Sequence, residues 1–169
     1  MCGAELARRE QAAWAALQGV LDPEVPVLSV CDLGIVREVT ADETGTHVVL
    51  TPTYSGCPAT EVIADSVRVA LEAVGLGPVT VSHRLAPAWT TDWISAQGRE
   101  RLLAYGIAPP GTVDGSCGTS PVRLRPRNLA CPRCGSLQTE RLSAFGSTAC
   151  KALHRCLACR EPFEHFKPL

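Results

Sequence analysis

Cys131-Pro-Arg-Cys134 and Cys156-Leu-Ala-Cys159 are two cysteine pairs with the same internal spacing, and 21 residues separate them. Two residues between thiolates allow a tight turn to aim both sulfurs at one cation, and two such turns form a tetrahedral site. Zinc is the default ion, with iron as the alternative. A unit this small buries too little apolar surface to fold alone, so the metal would supply much of its folding energy. We therefore predict a zinc-ribbon-like domain with a four-cysteine metal site at residues 128–169.

Two other side chains near the second pair are of types that bind metals. Cys150 is either a buried core thiol or a functional thiol that assists the site. His154 could replace one sulfur, but the four cysteines already complete the shell, so we do not count it as a ligand. The small core of the ribbon is expected to contain three aromatic residues: Phe145, Phe163 and Phe166.

A first domain is predicted at residues 1–106, and residues 107–127, rich in Pro, Gly, Ser and Thr, read as a linker. The hydrophobic pattern of the first domain predicts helix, strand, strand, helix and strand, at Glu5 to Val20, Leu33 to Thr40, His47 to Thr51, Pro58 to Val74 and Val79 to Leu85. Asp42 to Gly45 would form the hairpin loop. The second helix would bury an apolar stripe: Ile63, Val67, Ala70, Leu71 and Val74. The predicted fold class is α+β, a small sandwich followed by the ribbon.

Cys57 lies where the second strand gives way to the second helix. Pro58 suits a first helical position, which would place Cys57 at the N-cap, where the helix dipole favours a thiolate. Cys57 is thus either a reactive or metal-binding thiol or a small buried cap. Three acids also lie near predicted turns, where they would usually cap helices or face water: Asp22, Glu24 and Asp32.

The charge of the chain is unevenly distributed. Its formal net charge is −1, but residues 127–169 carry seven Lys/Arg and three Asp/Glu, a net of +4 that leaves −5 elsewhere. A solvated surface explains the basic end best, with an acidic partner as the alternative. We find no signal peptide and no apolar run of membrane-spanning length, and we expect a cytoplasmic protein. Nine cysteines in that reducing compartment indicate metal ligands or reactive thiols.

Several ordered motifs carry a family resemblance over nearly the whole chain. The first domain resembles the iron–sulfur assembly factors that include SufT, through Asp22-Pro-Glu24-Val-Pro, Asp32-Leu-Gly-Ile-Val, Thr51-Pro-Thr and Gly56-Cys57-Pro58. Further stretches narrow the match: Trp89-Thr-Thr-Asp-Trp-Ile94, Tyr105-Gly-Ile-Ala-Pro-Pro110, Phe145-Gly-Ser-Thr148 and Cys150-Lys151. With the ribbon, the chain is identified as a member of the PaaD-type accessory proteins of the phenylacetyl-CoA oxygenase (epoxidase) system.

The resemblance implies a non-catalytic factor that helps to mature an iron–sulfur or di-iron centre of that oxygenase. It implies that Cys57 holds iron or a transient iron–sulfur cluster, and that Asp22, Glu24 and Asp32 are possible contacts. The implied partners are the oxygenase subunits, including the reductase with its iron–sulfur cluster. Because a cluster needs about four thiolates, Cys57 would require either a second copy of the chain, which brings two Cys57 residues together, or help from Cys150 or Cys117. No membrane partner is expected.

Three other functions compete with this one. The chain could be a structural subunit of the oxygenase that transfers no metal. It could bind nucleic acid, which we disfavour because the ribbon shows no evident stacking surface of aromatic residues. It could also be an enzyme with Cys57 as nucleophile and His47 or His83 as base, which nothing in the flanking motif supports.

Overall fold

The computed structural model describes residues 3–54, 56, 58–111 and 129–168. Contacts divide the chain into two compact units, Met1–Gly98 and Arg99–Leu169. The first unit holds one β-sheet and the second holds another, so the predicted α+β class with a C-terminal ribbon is confirmed. Within the described part of the chain, the helices are too short or too polar to cross a membrane.

The first unit is a three-stranded sheet with two helices packed against it. Its elements are α1 Gly3–Leu17, β1 Val36–Ala41, β2 Thr46–Leu50, α2 Thr60–Ala73 and β3 Val79–His83. Strand β2 lies in the centre, antiparallel to β1 and parallel to β3. The parallel pair requires a crossover connection, and α2 supplies it. Helix α1 contacts β1 and α2, and α2 contacts β3, which gives the predicted order and layers.

The predicted hairpin loop connects β1 to β2. One carboxylate oxygen of Asp42 accepts the N–H groups of Thr44 and Gly45, at 2.6 and 3.0 Å. A Cβ atom at Gly45 would lie 2.2 Å from the carbonyl oxygen of Pro78, so the loop has room only for glycine there. The hairpin loop is therefore held both by the hydrogen bonds of Asp42 within it and by the close packing of Pro78, the residue before β3, against Gly45.

The apolar stripe predicted for the second helix is largely the buried face of α2. Its most buried members are Ile63, Val67 and Leu71, each at most 4% exposed. Val74 was expected in the same stripe but is 55% exposed, because the helix ends at Ala73. Gly75 then takes a φ of +77°, the left-handed conformation that commonly ends a helix.

The tryptophan-rich segment packs tightly on the Asp32-Leu33-Gly34 turn. A short 3-10 helix spans Thr91–Trp93, and α3 spans Ala96–Tyr105. The indole N–H of the buried Trp89 donates to the Leu33 carbonyl at 2.8 Å. Gly34 has a φ of +67°, and a Cβ there would lie 2.6 Å from the Trp93 carbonyl oxygen. These two motifs, far apart in sequence, therefore form one packed structure.

The second unit is a four-stranded ribbon sheet in the order β4-β7-β6-β5. Its strands are β4 Ile107–Ala108, β5 Thr139–Ser143, β6 Lys151–Cys156 and β7 Pro162–Phe166. Strand β4 pairs parallel with β7, so Ile107 and Ala108 belong to the ribbon sheet and not to the predicted linker. Both side chains are buried, which explains why they are apolar in an otherwise linker-like stretch. Residues 112–127 of the predicted linker lie outside the described residues.

The aromatic core of the ribbon is smaller than predicted. Phe163 and Phe166 are buried, but Phe145 is 65% exposed. Phe145 follows the end of β5 and lies in the turn toward β6, where the Lys167 ammonium sits 4.6 Å from its ring centroid. The prediction for Phe145 was therefore wrong, because the residue lies in a turn and not on a strand facing the core.

Candidate metal centre

The four predicted ligands, Cys131, Cys134, Cys156 and Cys159, form one cluster. Their sulfur atoms all lie within 4.8 Å of one another. Cys131 Sγ is 3.8 Å from Cys159 Sγ, and Cys134 Sγ is 3.6 Å from Cys156 Sγ. Each of these short contacts joins the two cysteine turns, so the cluster holds together two stretches of chain that are distant in sequence.

The sulfur spacing fits a tetrahedral metal ion. Zinc–sulfur bonds are about 2.3 Å long, which places neighbouring sulfurs of a regular tetrahedron about 3.8 Å apart. The two closest separations here, 3.6 and 3.8 Å, agree with that edge length. Four thiolates this close would repel one another without a cation between them. The residues present therefore suit one tetrahedral metal ion.

The two cysteine turns have the same backbone design. The N–H of the first cysteine of each turn donates to the carbonyl five residues later. Cys131 donates to Ser136 at 2.9 Å, and Cys156 donates to Glu161 at 3.0 Å. The residue after each second cysteine, Gly135 or Arg160, has a φ near +70°. This left-handed residue turns the chain back, so that backbone N–H groups point toward the sulfurs.

Those N–H groups favour the thiolate form that binds a metal. The N–H of Arg133 donates to Cys131 Sγ at 3.4 Å, and the N–H of Cys159 donates to Cys156 Sγ at 3.5 Å. The Cys159 N–H is the main cause that lowers the pKa of the Cys156 thiol to about 6. A thiol with this pKa is largely ionised at neutral pH, as metal ligands must be.

Cys150 is not brought to this cluster. It is buried just before β6, whereas Cys156 is the last residue of that strand, so about 20 Å of extended chain separates the two. Its sulfur lies 3.0 Å from the Thr148 hydroxyl. Cys150 therefore belongs to the opposite end of the ribbon, where it does not complete the four-sulfur shell.

Two histidines pack beside the core of the ribbon. His154 stacks on the Phe163 ring, with centroids 5.7 Å apart, and meets His165 edge-on at 5.5 Å. Burial, followed by the charge of Arg141, lowers the pKa of His154. Burial, followed by His154, lowers the pKa of His165 to about 4. Both rings are therefore neutral at pH 7.

The depressed pKa of His165 predicts a loss of stability in mild acid. An unfolded histidine titrates near 6.5 and the folded one near 4, so between these values the unfolded state binds more protons. The stabilisation is present above pH 6.5 and is lost as the pH falls toward 4. The stability of residues 129–168 is measured by hydrogen exchange between pH 6.5 and 4, in wild type and in His165→Gln. The comparison is needed because acid also removes metal from thiolates in both proteins. We expect stability to fall less steeply with pH in His165→Gln, and parallel pH profiles would contradict the low pKa of His165.

Two of the three predicted acids, Asp22 and Asp32, shape loops of the first unit. Asp22 is buried, and its carboxylate accepts the N–H groups of Glu24 and Val25, both at 2.8 Å. Asp32, also buried, accepts from the N–H and hydroxyl of Ser29 and from the hydroxyl of Ser95. Glu24 is half-buried. Asp22 and Asp32 therefore have a structural role, whether or not they also make the contacts that the resemblance implies.

Cys57 and Cys117 lie outside the described residues, but the helix that follows Cys57 is described. The first hydrogen bond of α2 runs from the Ile63 N–H to the Ala59 carbonyl at 2.8 Å, and Ala59 is the N-cap. The predicted helix start at Pro58 was therefore two residues too early, because Pro58 lies in the turn before the helix. The N-cap argument for Cys57 does not hold in that form.

Sequence reasoning missed one buried charged pair. The Lys151 ammonium lies 2.9 Å from a carboxylate oxygen of Glu164, with side-chain exposures of 5% and 22%. The other oxygen of Glu164 accepts the N–H of Ser147. The alternation of β7 was the available signal, since it places Glu164 on the face opposite Phe163. The pair ties the turn before β6 to β7.

Comparison with known proteins identifies both units. Residues 10–82 match the family described as iron–sulfur cluster assembly protein, and residues 118–167 match the PaaD zinc beta ribbon domain. The crystal structure of a domain of unknown function, DUF59, from Bacillus anthracis has a TM-score of 0.56 and 27% identity, and the match covers 60% of this chain and 97% of that one. The first unit therefore shares its fold with the DUF59 domain.

Two relatives extend the comparison, one of them across both units. The chain is 39% identical over 94 residues to the Fe-S protein maturation auxiliary factor YitW of Bacillus subtilis, covering 54% of this chain and 88% of that protein. It is 51% identical over 154 residues to an Escherichia coli K12 protein that is named as a component of 1,2-phenylacetyl-CoA epoxidase. That match covers 91% of this chain and 90% of the Escherichia coli protein. The chain, an iron–sulfur cluster assembly domain followed by a zinc beta ribbon, therefore belongs to the PaaD family.

Proposed function

We propose that this protein is a non-catalytic maturation factor for a ring-epoxidising oxygenase that acts on phenylacetyl-CoA. The observation that carries the proposal is the union, in one chain, of an iron–sulfur cluster assembly domain and the PaaD ribbon. The relatives support both halves, since one is named as an epoxidase component and others as Fe-S protein maturation factors. Its clients would be the oxygenase subunits, including an iron–sulfur reductase, in the cytoplasm.

The ribbon would hold one zinc ion through Cys131, Cys134, Cys156 and Cys159. Zinc has no redox chemistry, and a closed tetrahedral sulfur site usually has a structural role. The ion would stabilise a folded platform for the client. Leu137 and Leu157 offer apolar surface for such docking, being 56% and 45% exposed, and the Leu157 N–H bonds to the carbonyl of Gln138 beside Leu137.

Cys57 would hold or transfer iron or an iron–sulfur cluster as cargo. One thiolate cannot bind a cluster that needs about four, so other ligands must come from the chain or from a second copy. Cys150 is a poor source, because it is only 6% exposed and lies within the ribbon. A homodimer that joins two Cys57 residues is the arrangement we favour, with remaining ligands from the client or a small thiol.

Metal and acid-labile sulfide analysis tests this role. The protein is purified without oxygen as wild type, Cys57→Ser and Cys31→Ser. Cys31 is the matched control, because burial, followed by the charge of Asp32, raises the pKa of its thiol to about 11 and makes it a poor ligand at neutral pH. We expect about one zinc per chain in all three proteins. Iron and sulfide should be present in wild type and Cys31→Ser and absent from Cys57→Ser.

A structural subunit of the oxygenase is the second candidate, favoured by the name of the relative that is 51% identical. It predicts stable co-purification with the catalytic subunits and full oxygenase activity with Cys57→Ser. If iron and sulfide do not differ between wild type and Cys57→Ser, cargo transfer through Cys57 is rejected and this second function is retained.

A further inference from the structure

We propose that Cys134 is the ligand at which the ribbon exchanges its metal ion with incoming sulfur donors. The inference rests on the proposed metal site and adds the order in which its four ligands would release the metal. A tetrahedral site with four equivalent cysteines would have no preferred point of attack. The burial and hydrogen bonding of these cysteines, however, are unequal.

Burial separates Cys134 from the other three ligands. Cys131 and Cys156 are 2% and 0% exposed and belong to the apolar core with Ala108 and Phe163. Cys159 is partly buried and packs against the same core. Cys134 is exposed. An incoming ligand therefore reaches the cluster from the Cys134 side without displacing the core.

Hydrogen bonding to sulfur divides the four ligands into two pairs. Backbone N–H groups donate to Cys131 Sγ and Cys156 Sγ, at 3.4 and 3.5 Å. Within residues 129–168, the hydrogen-bonding contacts of Cys134 Sγ and Cys159 Sγ are to the other sulfurs of the cluster. N–H donors spread the negative charge of a thiolate and make it less nucleophilic and less easily protonated. Cys134 and Cys159 lack that protection, and because only Cys134 of these two is exposed, Cys134 should leave the site first.

The exchange would need no oxidant or reductant. An incoming thiol would lose its proton and replace Cys134 as a ligand. The bond between the Cys134 sulfur and the metal ion would break and that sulfur would take up one proton, so charge and atoms balance. The chemical class of the exchanging ligand is a soft thiolate, from a small thiol or from a cysteine of a partner protein. The other three cysteines keep the ribbon folded while the fourth position changes.

Pulsed alkylation of the zinc-loaded full chain tests the order of release. In this reaction the Cys134 sulfur forms a bond to one carbon of the N-ethylmaleimide double bond, and the other carbon of that bond takes up a proton from water. Peptide mass spectrometry follows each cysteine, and a chromogenic chelator follows released zinc. We expect Cys134 to be labelled about tenfold faster than the other three ligands, with zinc release tracking its labelling. Faster labelling of any of the other three would overturn the proposal.

Two histidine variants provide a matched comparison, because histidine can replace one sulfur in a zinc site. Cys134→His should slow alkylation-triggered zinc release about tenfold, whereas Cys159→His, at the equivalent position of the other turn, should release zinc like wild type. Equal rates in the two variants would overturn the proposal. If Cys134→His fails to hold zinc, the wild-type labelling order still decides. Zinc content is measured before labelling, and a wild type without zinc would reject the proposed metal site as well.

Discussion

Cys131→Ser should lose the bound metal and unfold residues 129–168. The apolar cluster around the metal site is small, with four buried members of which two are ligands: Ala108, Cys131, Cys156 and Phe163. Structural zinc contributes about 10–16 kcal/mol in small zinc-binding peptides, so binding and folding are one event in such a unit. Serine conserves size but is a poor zinc ligand. The loss of stability in Cys131→Ser should therefore far exceed the loss caused by replacing a buried cysteine that binds no metal.

The matched control is Cys150→Ser, because Cys150 is also buried in the ribbon but lies at the far end of β6. The measurements are zinc content per chain and amide hydrogen exchange of β5, β6 and β7. We expect Cys150→Ser to keep its zinc and its exchange protection, and Cys131→Ser to lose both. A Cys131→Ser protein with full zinc content and protected ribbon amides would show that the four sulfurs are not the metal site.

The sequence allowed prediction of features that depend on local chemistry. Spacing alone placed four cysteines in one cluster, because a two-residue gap dictates how each turn points its sulfurs. The Asp42–Gly45 hairpin and the buried stripe of α2 followed from turn residues and periodicity. In each case the deciding interactions lie within about one or two turns of chain, so neighbouring residues carry the signal.

The two failures have different physical causes. Ile107 and Ala108 were assigned to the linker from their neighbours, but they form a strand because the edge of β7, distant in the sequence, pairs with them. No local pattern indicates that partner. Phe145 was assigned to the core from its aromatic side chain alone, but it lies in the turn after β5, where its side chain is exposed.

Lys151→Met should destabilise the ribbon by about 3 kcal/mol, because it leaves the carboxylate of Glu164 without its cation in a mostly buried place. Burial raises the pKa of Glu164, but the Ser147 N–H and Lys151 outweigh it and keep the pKa below the usual value of a glutamate. The matched control is Arg155→Met, since Arg155 pairs with Glu140 across the same sheet with both side chains over 40% exposed. An exposed pair contributes about 0–1 kcal/mol, so this control should change little.

Native-state hydrogen exchange of β6 and β7 in the zinc-loaded protein measures both changes without unfolding the first unit. The double variant Lys151→Met/Glu164→Gln removes both charges and keeps an acceptor for the Ser147 N–H, so it should be more stable than Lys151→Met alone. That recovery separates an unpaired buried charge from a simple packing defect, which the second substitution would not repair. If Lys151→Met and Arg155→Met cost the same, or the double variant is no better than Lys151→Met, the pair acts as ordinary surface charge. The turn from Phe145 to Cys150 would then depend on its backbone bonds, such as Gly146 N–H to the Lys151 carbonyl at 2.7 Å.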